Sequence, residues 1–131
     1  MVRANPIDEA RRYIAYARDI LSQKAMKLDG SYQDIKYVKM AGDTAYKGVL
    51  VALDATLAAK SRGRQNVEWY QLHLAKADKR ALAKYNEAYQ ILHLLLGYDG
   101  NTNAKVATIG LDLAVDIISW AEARATAAVV A

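Results

Sequence analysis

Residues 34–60 read DIKYVKMAGDTAYKGVLVALDATLAAK, and their apolar positions step by threes and fours rather than by twos. Ile35, Val38, Gly42, Ala45, Val49, Ala52 and Thr56 form one stripe of a helix running from about Asp34 to Lys60. Tyr46, Leu50, Leu53 and Leu57 lie beside that stripe, and so wide an apolar face requires neighbours on more than one side. Gly42, Ala45, Gly48 and Ala52 keep one side of the helix small. A helical Gly costs about 1 kcal/mol relative to Ala, so something only a small residue permits must offset it. Close approach of another helix, within the chain or across a dimer, is the first reading; a ligand cavity next to Tyr46 is the second. Asp54 is costly if buried unpaired, so it is expected near the surface or bonded to a Lys or Tyr.

The flanking segments repeat the helical spacing. Asn5 can cap, Pro6 suits a first helical position, and Ile7, Ala10, Ile14, Ala17, Leu21 and Leu28 predict a helix to about residue 27, ended by Asp29-Gly30-Ser31. SRGRQN at 61–66 is a break. Asn66 can cap a short helix from Val67 to about Ala75. Asp78 can start another, over 79–97, carrying Leu82, Tyr85, Tyr89, Leu92 and Leu96. The spacing leaves open whether these two are separate or one bent helix. A last helix is expected from about Ala104, with Ala107, Leu111, Ala114, Ile118, Ala121 and Ala125 in register. No alternating strand pattern competes. The expectation is a single all-α domain over 1–131, an antiparallel, up-and-down bundle of four long helices plus one short one.

Composition narrows the function classes. The 131 residues include no Cys, which excludes disulfides, thiolate metal sites and a thiol nucleophile. The opening MVRANPIDEARR has no apolar run of the secretory kind. The strongly apolar run Ile91–Leu96, interrupted by His93, falls far short of the ~20 residues of a membrane helix. A soluble, cytoplasmic protein with no membrane association is expected. The net charge of +4 is modest, and its basic part is central: Lys60, Arg62 and Arg64, then Lys76, Lys79, Arg80 and Lys84. With acids interspersed, this reads first as a solvated surface and second as a patch for phosphates.

The stretch GYDGNTN, 97–103, sets Asp99, Asn101 and Asn103 on alternate positions, as a calcium loop begins. Such a loop needs Gly at its sixth position and Glu at its twelfth, where this chain has Ala104 and Gly110. The same residues read well as punctuation: Gly97 closing a helix in the left-handed conformation, Asp99-Gly100 turning, and Thr102 or Asn103 capping the next helix. A di-iron centre needs Glu-x-x-His pairs, and none of Glu9, Glu68, Glu87 or Glu122 stands three residues before a His. His73 and His93 are the only histidines. His93 shares a helical stripe with Tyr85 and Tyr89, which reads first as a satisfied core histidine and second as a polar slot for a ligand or base. Nine Tyr and no Phe suggest rings at half-wet seams such as a dimer face or groove.

ARDILSQKA at 17–25, AGDTAYKGVLVALDATLAAK at 41–60 and AYQILHLLLGYDG at 88–100, in that order, resemble the HEPN-like helical bundles of bacteria. These are small all-α domains found beside nucleotidyltransferases or acting as toxins. The resemblance implies the bundle fold and leaves nucleotide or nucleic-acid binding as one expectation. Nuclease members carry Arg and His four to six residues apart on a helix. Here Arg64 and His73 have eight residues between them and Arg80 and His93 have twelve, so the resemblance does not carry nuclease activity to this chain.

The leading expectation is thus a non-catalytic module that works by association, as a homodimer or with a protein partner. It has no catalytic residue, cofactor or metal assigned. Tyr46, Tyr85, Tyr89 and His93 are its candidate ligand or interface residues. The alternative is a nucleotide- or nucleic-acid-binding module using Lys60, Arg62, Arg64, Lys79 and Arg80.

Overall fold

The computed structural model describes residues 5–57 and 65–130. The described residues are all-α apart from one small hairpin. Helix α1 spans Pro6–Gln23, opened by the Asn5 carboxamide, which accepts the Ile7 amide at 2.8 Å, and buries Ile7, Ala10, Ile14, Ala17 and Leu21. It stops earlier than the spacing predicts because Met26 turns left-handed (φ 58°). Strands β1 (Lys27–Leu28) and β2 (Ser31–Tyr32) follow, paired antiparallel. Asp29 (φ 51°) and Gly30 (φ 78°) join them in the doubly positive turn that an Asp-Gly pair favours. Leu28, expected on the α1 stripe, is instead 62 % exposed on this hairpin.

Helix α2, Ile35–Thr56, is capped by Asp34 and packs against α1, α5 and the helix of Tyr89–Tyr98, so its wide apolar face is covered from several sides. The segment 58–64 lies outside the described residues, and with it the predicted extension to Lys60. Helix α3 (Val67–Ala77) and helix α4 (Lys79–Ala88) are separate: Asp78 is extended (φ −168°, ψ 115°), ending one and capping the other. Its Oδ1 accepts the Arg80 and Ala81 amides at 2.8 and 3.3 Å. Helix α4 runs on into a ten-residue π-helix, Tyr89–Tyr98, a rare form that the apolar spacing does not signal. Helix α5, Ala104–Val130, buries Ala107, Leu111, Ala114, Ile117, Ile118 and Ala121, while Ala125 is exposed.

The GYDGNTN stretch is punctuation, with one correction. Gly100 (φ 68°), not Gly97, takes the left-handed conformation; Gly97 stays in the π-helix. Asn101 Oδ1 accepts the Asn103 amide, and Asn103 Oδ1 accepts those of Lys105 and Val106, opening α5. The Tyr32 amide donates to the Thr102 carbonyl at 2.8 Å and the Ala104 amide to that of Gly30 at 2.9 Å, fastening the hairpin to this loop.

The small residues of α2 serve contacts inside the chain. A Cβ on Gly42 would stand 2.6 Å from the Leu92 carbonyl oxygen and from Leu96 Cβ, in the π-helix; one on Gly48 would stand 2.9 Å from the Ala10 carbonyl oxygen of α1. Backbone cannot rotate away as a side chain can. Gly42→Ala should therefore lower unfolding free energy by about 1–3 kcal/mol in a denaturant titration, although it improves helix propensity. A neutral or stabilising outcome would refute that contact.

Candidate functional site

Three of the four candidate ligand residues share one helical line. Tyr85 lies on α4, and Tyr89 and His93 on the π-helix, each four residues after the last. Tyr46 enters between them from α2. Its ring stacks on His93 (centroids 5.0 Å, 29°) and lies 5.9 Å from Tyr89, and its hydroxyl shares a 2.9 Å hydrogen bond with that of Tyr85. The structure thus brings all four together.

They fill space rather than enclose it. Tyr85 is fully buried and Tyr46 nearly so. Tyr70, from α3, extends the cluster: its ring lies 5.7 Å from Tyr85, and its hydroxyl donates to Asp54 Oδ1 at 2.5 Å. A Tyr is one of the partners expected for Asp54. Burial pushes the Tyr85 phenol well above its ordinary range, and the Tyr46 hydrogen bond pushes the same way. Burial, then the Asp54 carboxylate, do so for Tyr70. Phenols held neutral this firmly do not act as bases or nucleophiles at neutral pH. The accessible edge is His93, whose Nδ1 is 3.8 Å from Asp43 Oδ1, with both side chains about half exposed. A pair so exposed contributes little stability.

The basic candidates are dispersed. Lys60, Arg62 and Arg64 lie outside the described residues. Lys79 and Arg80 are exposed on the first turn of α4. Arg80 lines a cleft of about 260 Å³ with Lys84, Trp120, Asp78 and Asp116, and Lys84 pairs with Asp116 at 3.2 Å. Cation and carboxylate alternate there. Among the described residues, no group of three or more His, Asp or Glu side chains is placed to hold a metal ion. No described helix is long and apolar enough to cross a membrane.

Sequence reasoning passed over two indole pairs. His73 stacks on Trp69 (centroids 4.0 Å, 24°), and Arg124 lies over Trp120 at 5.5 Å. Each pair is separated by four residues within one helix, a spacing at which side chains meet, so the signal was present.

Residues 5–123 match the model of a family described as a domain of unknown function, DUF5618. The chain belongs to that family. No curated protein matches it. A solved protein of unknown function from Dyadobacter fermentans is 49% identical, covers 91% of this chain and 95% of its own, and superposes with a TM-score of 0.87. In this DUF5618 chain the aromatic cluster forms a seam joining α2, α3, α4 and the π-helix.

The raised phenols set a pH dependence. The unfolded chain ionises its tyrosines near pH 10, whereas folded Tyr70 and Tyr85 resist. Their contribution is therefore complete below about pH 10 and is lost as pH rises above it. Monitored at 295 nm, at least two of the nine tyrosines, Tyr70 and Tyr85, should ionise only together with loss of helical circular dichroism. Ionisation of all nine before any unfolding would contradict the buried placement.

Proposed function

We propose that this chain is a non-catalytic interaction module of bacteria, acting in the cytoplasm and self-associating as a homodimer. We further propose that its helices form an antiparallel, up-and-down bundle of four long helices plus one short one, related to the HEPN-like bundles. Helices α1 and α2, α4 continued by the π-helix, and α5 supply the long members in this reading, and α3 the short one. The HEPN-like relationship rests on the three stretches quoted above.

One observation carries the association reading. Met26, Leu28, Ile35 and Tyr98 are 67, 62, 49 and 76 % exposed, and all lie at the end of the molecule where the hairpin meets the 99–103 loop. Gly100 packs against Ile35, which brings the start of α2 to the same place. Exposed Met and Tyr gathered on a hydrogen-bonded scaffold have the composition of an interface core. The filled aromatic cluster supports the same reading, because its neutral phenols supply packing rather than reactive groups.

Sedimentation velocity over a concentration series tests this. The unaltered chain should reach a dimer, and Leu28→Asp with Tyr98→Asp should return it to monomer with unchanged helical circular dichroism. A chain that stays monomeric throughout, or a dimer indifferent to both substitutions, would overturn the proposal.

A further inference from the structure

At the other end of α2 a cleft of about 310 Å³ is lined by Thr56, Leu57, His73, Lys76, Ala77 and Arg124. Half of these residues are basic and none is acidic, in a chain with 14 Asp and Glu. Among the described residues, neither Lys76 nor Arg124 has a carboxylate within ion-pair distance. The nearby carboxylates are engaged elsewhere. Asp54 accepts from Tyr70, and Asp78 caps α4 while its Oδ2 accepts the Trp120 indole N–H at 3.0 Å.

Two of these side chains, His73 and Arg124, lie against indole rings. A carbonyl oxygen only accepts, so the His73 Nδ1–H donates to the Trp69 carbonyl at 2.9 Å, which leaves Nε2 as the ring nitrogen available to a ligand. Arg124 lies over Trp120, itself fixed by Asp78. The helix ends account for only part of this. Lys76 stands in the last turn of α3, where a cation offsets the partial negative charge of the carbonyls. His73 lies a turn earlier, and Arg124 arrives from α5. The ends of α2 and α3 together bring about one negative charge at most, against the two positive charges of Lys76 and Arg124.

We propose that this cleft binds a small organic phosphate. Arg124 and Lys76 would hold the phosphate oxygens, with His73 Nε2 as a third contact when protonated, and the carbon skeleton would lie on Leu57 and Ala77. A phosphate monoester carries the charge to match more than one cation, and the guanidinium fork fits its oxygens in a bidentate pair. At about 310 Å³ the cleft has room for a small ligand. Lys36 and Lys39, at the start of α2, stand about 30 Å away along a helix of 1.5 Å rise per residue, so the site is independent of the proposed dimer surface.

Isothermal titration calorimetry at low salt tests the assignment with three probes: inorganic phosphate, a nucleoside monophosphate, and a single-stranded oligonucleotide without a terminal phosphate. Saturable one-to-one binding of the first two is expected. His73→Gln and Arg124→Ala should each weaken it about tenfold or more, as loss of a charge-assisted hydrogen bond does. Arg124→Lys, which keeps the charge and the fold but loses the fork, should weaken it severalfold. The doubly substituted Lys36→Ala, Lys39→Ala chain should bind like the unaltered one. No saturable heat with either phosphate would overturn the proposal, as would an equal loss in the Lys36, Lys39 variant. So would oligonucleotide binding that is tighter than both and indifferent to Arg124, since that would make the surface a diffuse polymer patch.

Discussion

The approach of α2 to the π-helix at Gly42 is the contact on which the rest of the packing depends. At this point the α2 backbone meets the Leu92 carbonyl and the Gly97 amide with no room for a methyl group between them. That spacing lets Tyr46, one turn further along α2, reach between Tyr85, Tyr89 and His93. Gly48 allows a similar approach to α1, and Gly110 lets α5 close on Ile91 and Leu92. Each glycine costs about 1 kcal/mol of helix propensity, which close dispersion contacts between helices offset. The small-residue face of α2 is thereby used within the chain.

A core that admits this many tyrosines must satisfy their hydroxyls. Tyr46 and Tyr85 share one hydrogen bond, and Tyr70 donates to Asp54. No buried side-chain nitrogen or oxygen is left without a partner among the described residues. Satisfied polar contacts have directions that purely apolar packing lacks, so the cluster fixes how α2, α3 and α4 rotate against one another. It also holds the Tyr70 and Tyr85 phenols neutral, while His93 keeps an exposed edge. Two surface regions stand at the ends of α2: exposed apolar side chains near the hairpin, and the cleft of His73, Lys76 and Arg124.

Much of the fold was legible. The stripes of α1, α2 and α5, the caps Asn5, Asn66 and Asp78, and the convergence of Tyr85, Tyr89 and His93 all follow from spacing and capping chemistry. The hairpin was not recognised, although Asp29-Gly30 is the turn pair that favours it, because two-residue strands are too short for an alternating pattern to register. The π-helix was illegible for another reason. Its apolar side chains recur much as in an α-helix, and the hydrogen-bond shift that distinguishes it leaves no mark on residue type.

The sequence by itself determined an all-α chain with a heavily buried second helix, because helical periodicity and capping are local properties of neighbouring residues. Tertiary structure alone decided that Gly42 and Gly48 serve contacts within the chain, and that the phenols of Tyr46 and Tyr85 meet. It also placed Arg124 opposite His73 and Lys76. These are encounters between residues 39 or more positions apart for the phenols and 48 or more for the cations, set by how helices pack and invisible to any local pattern.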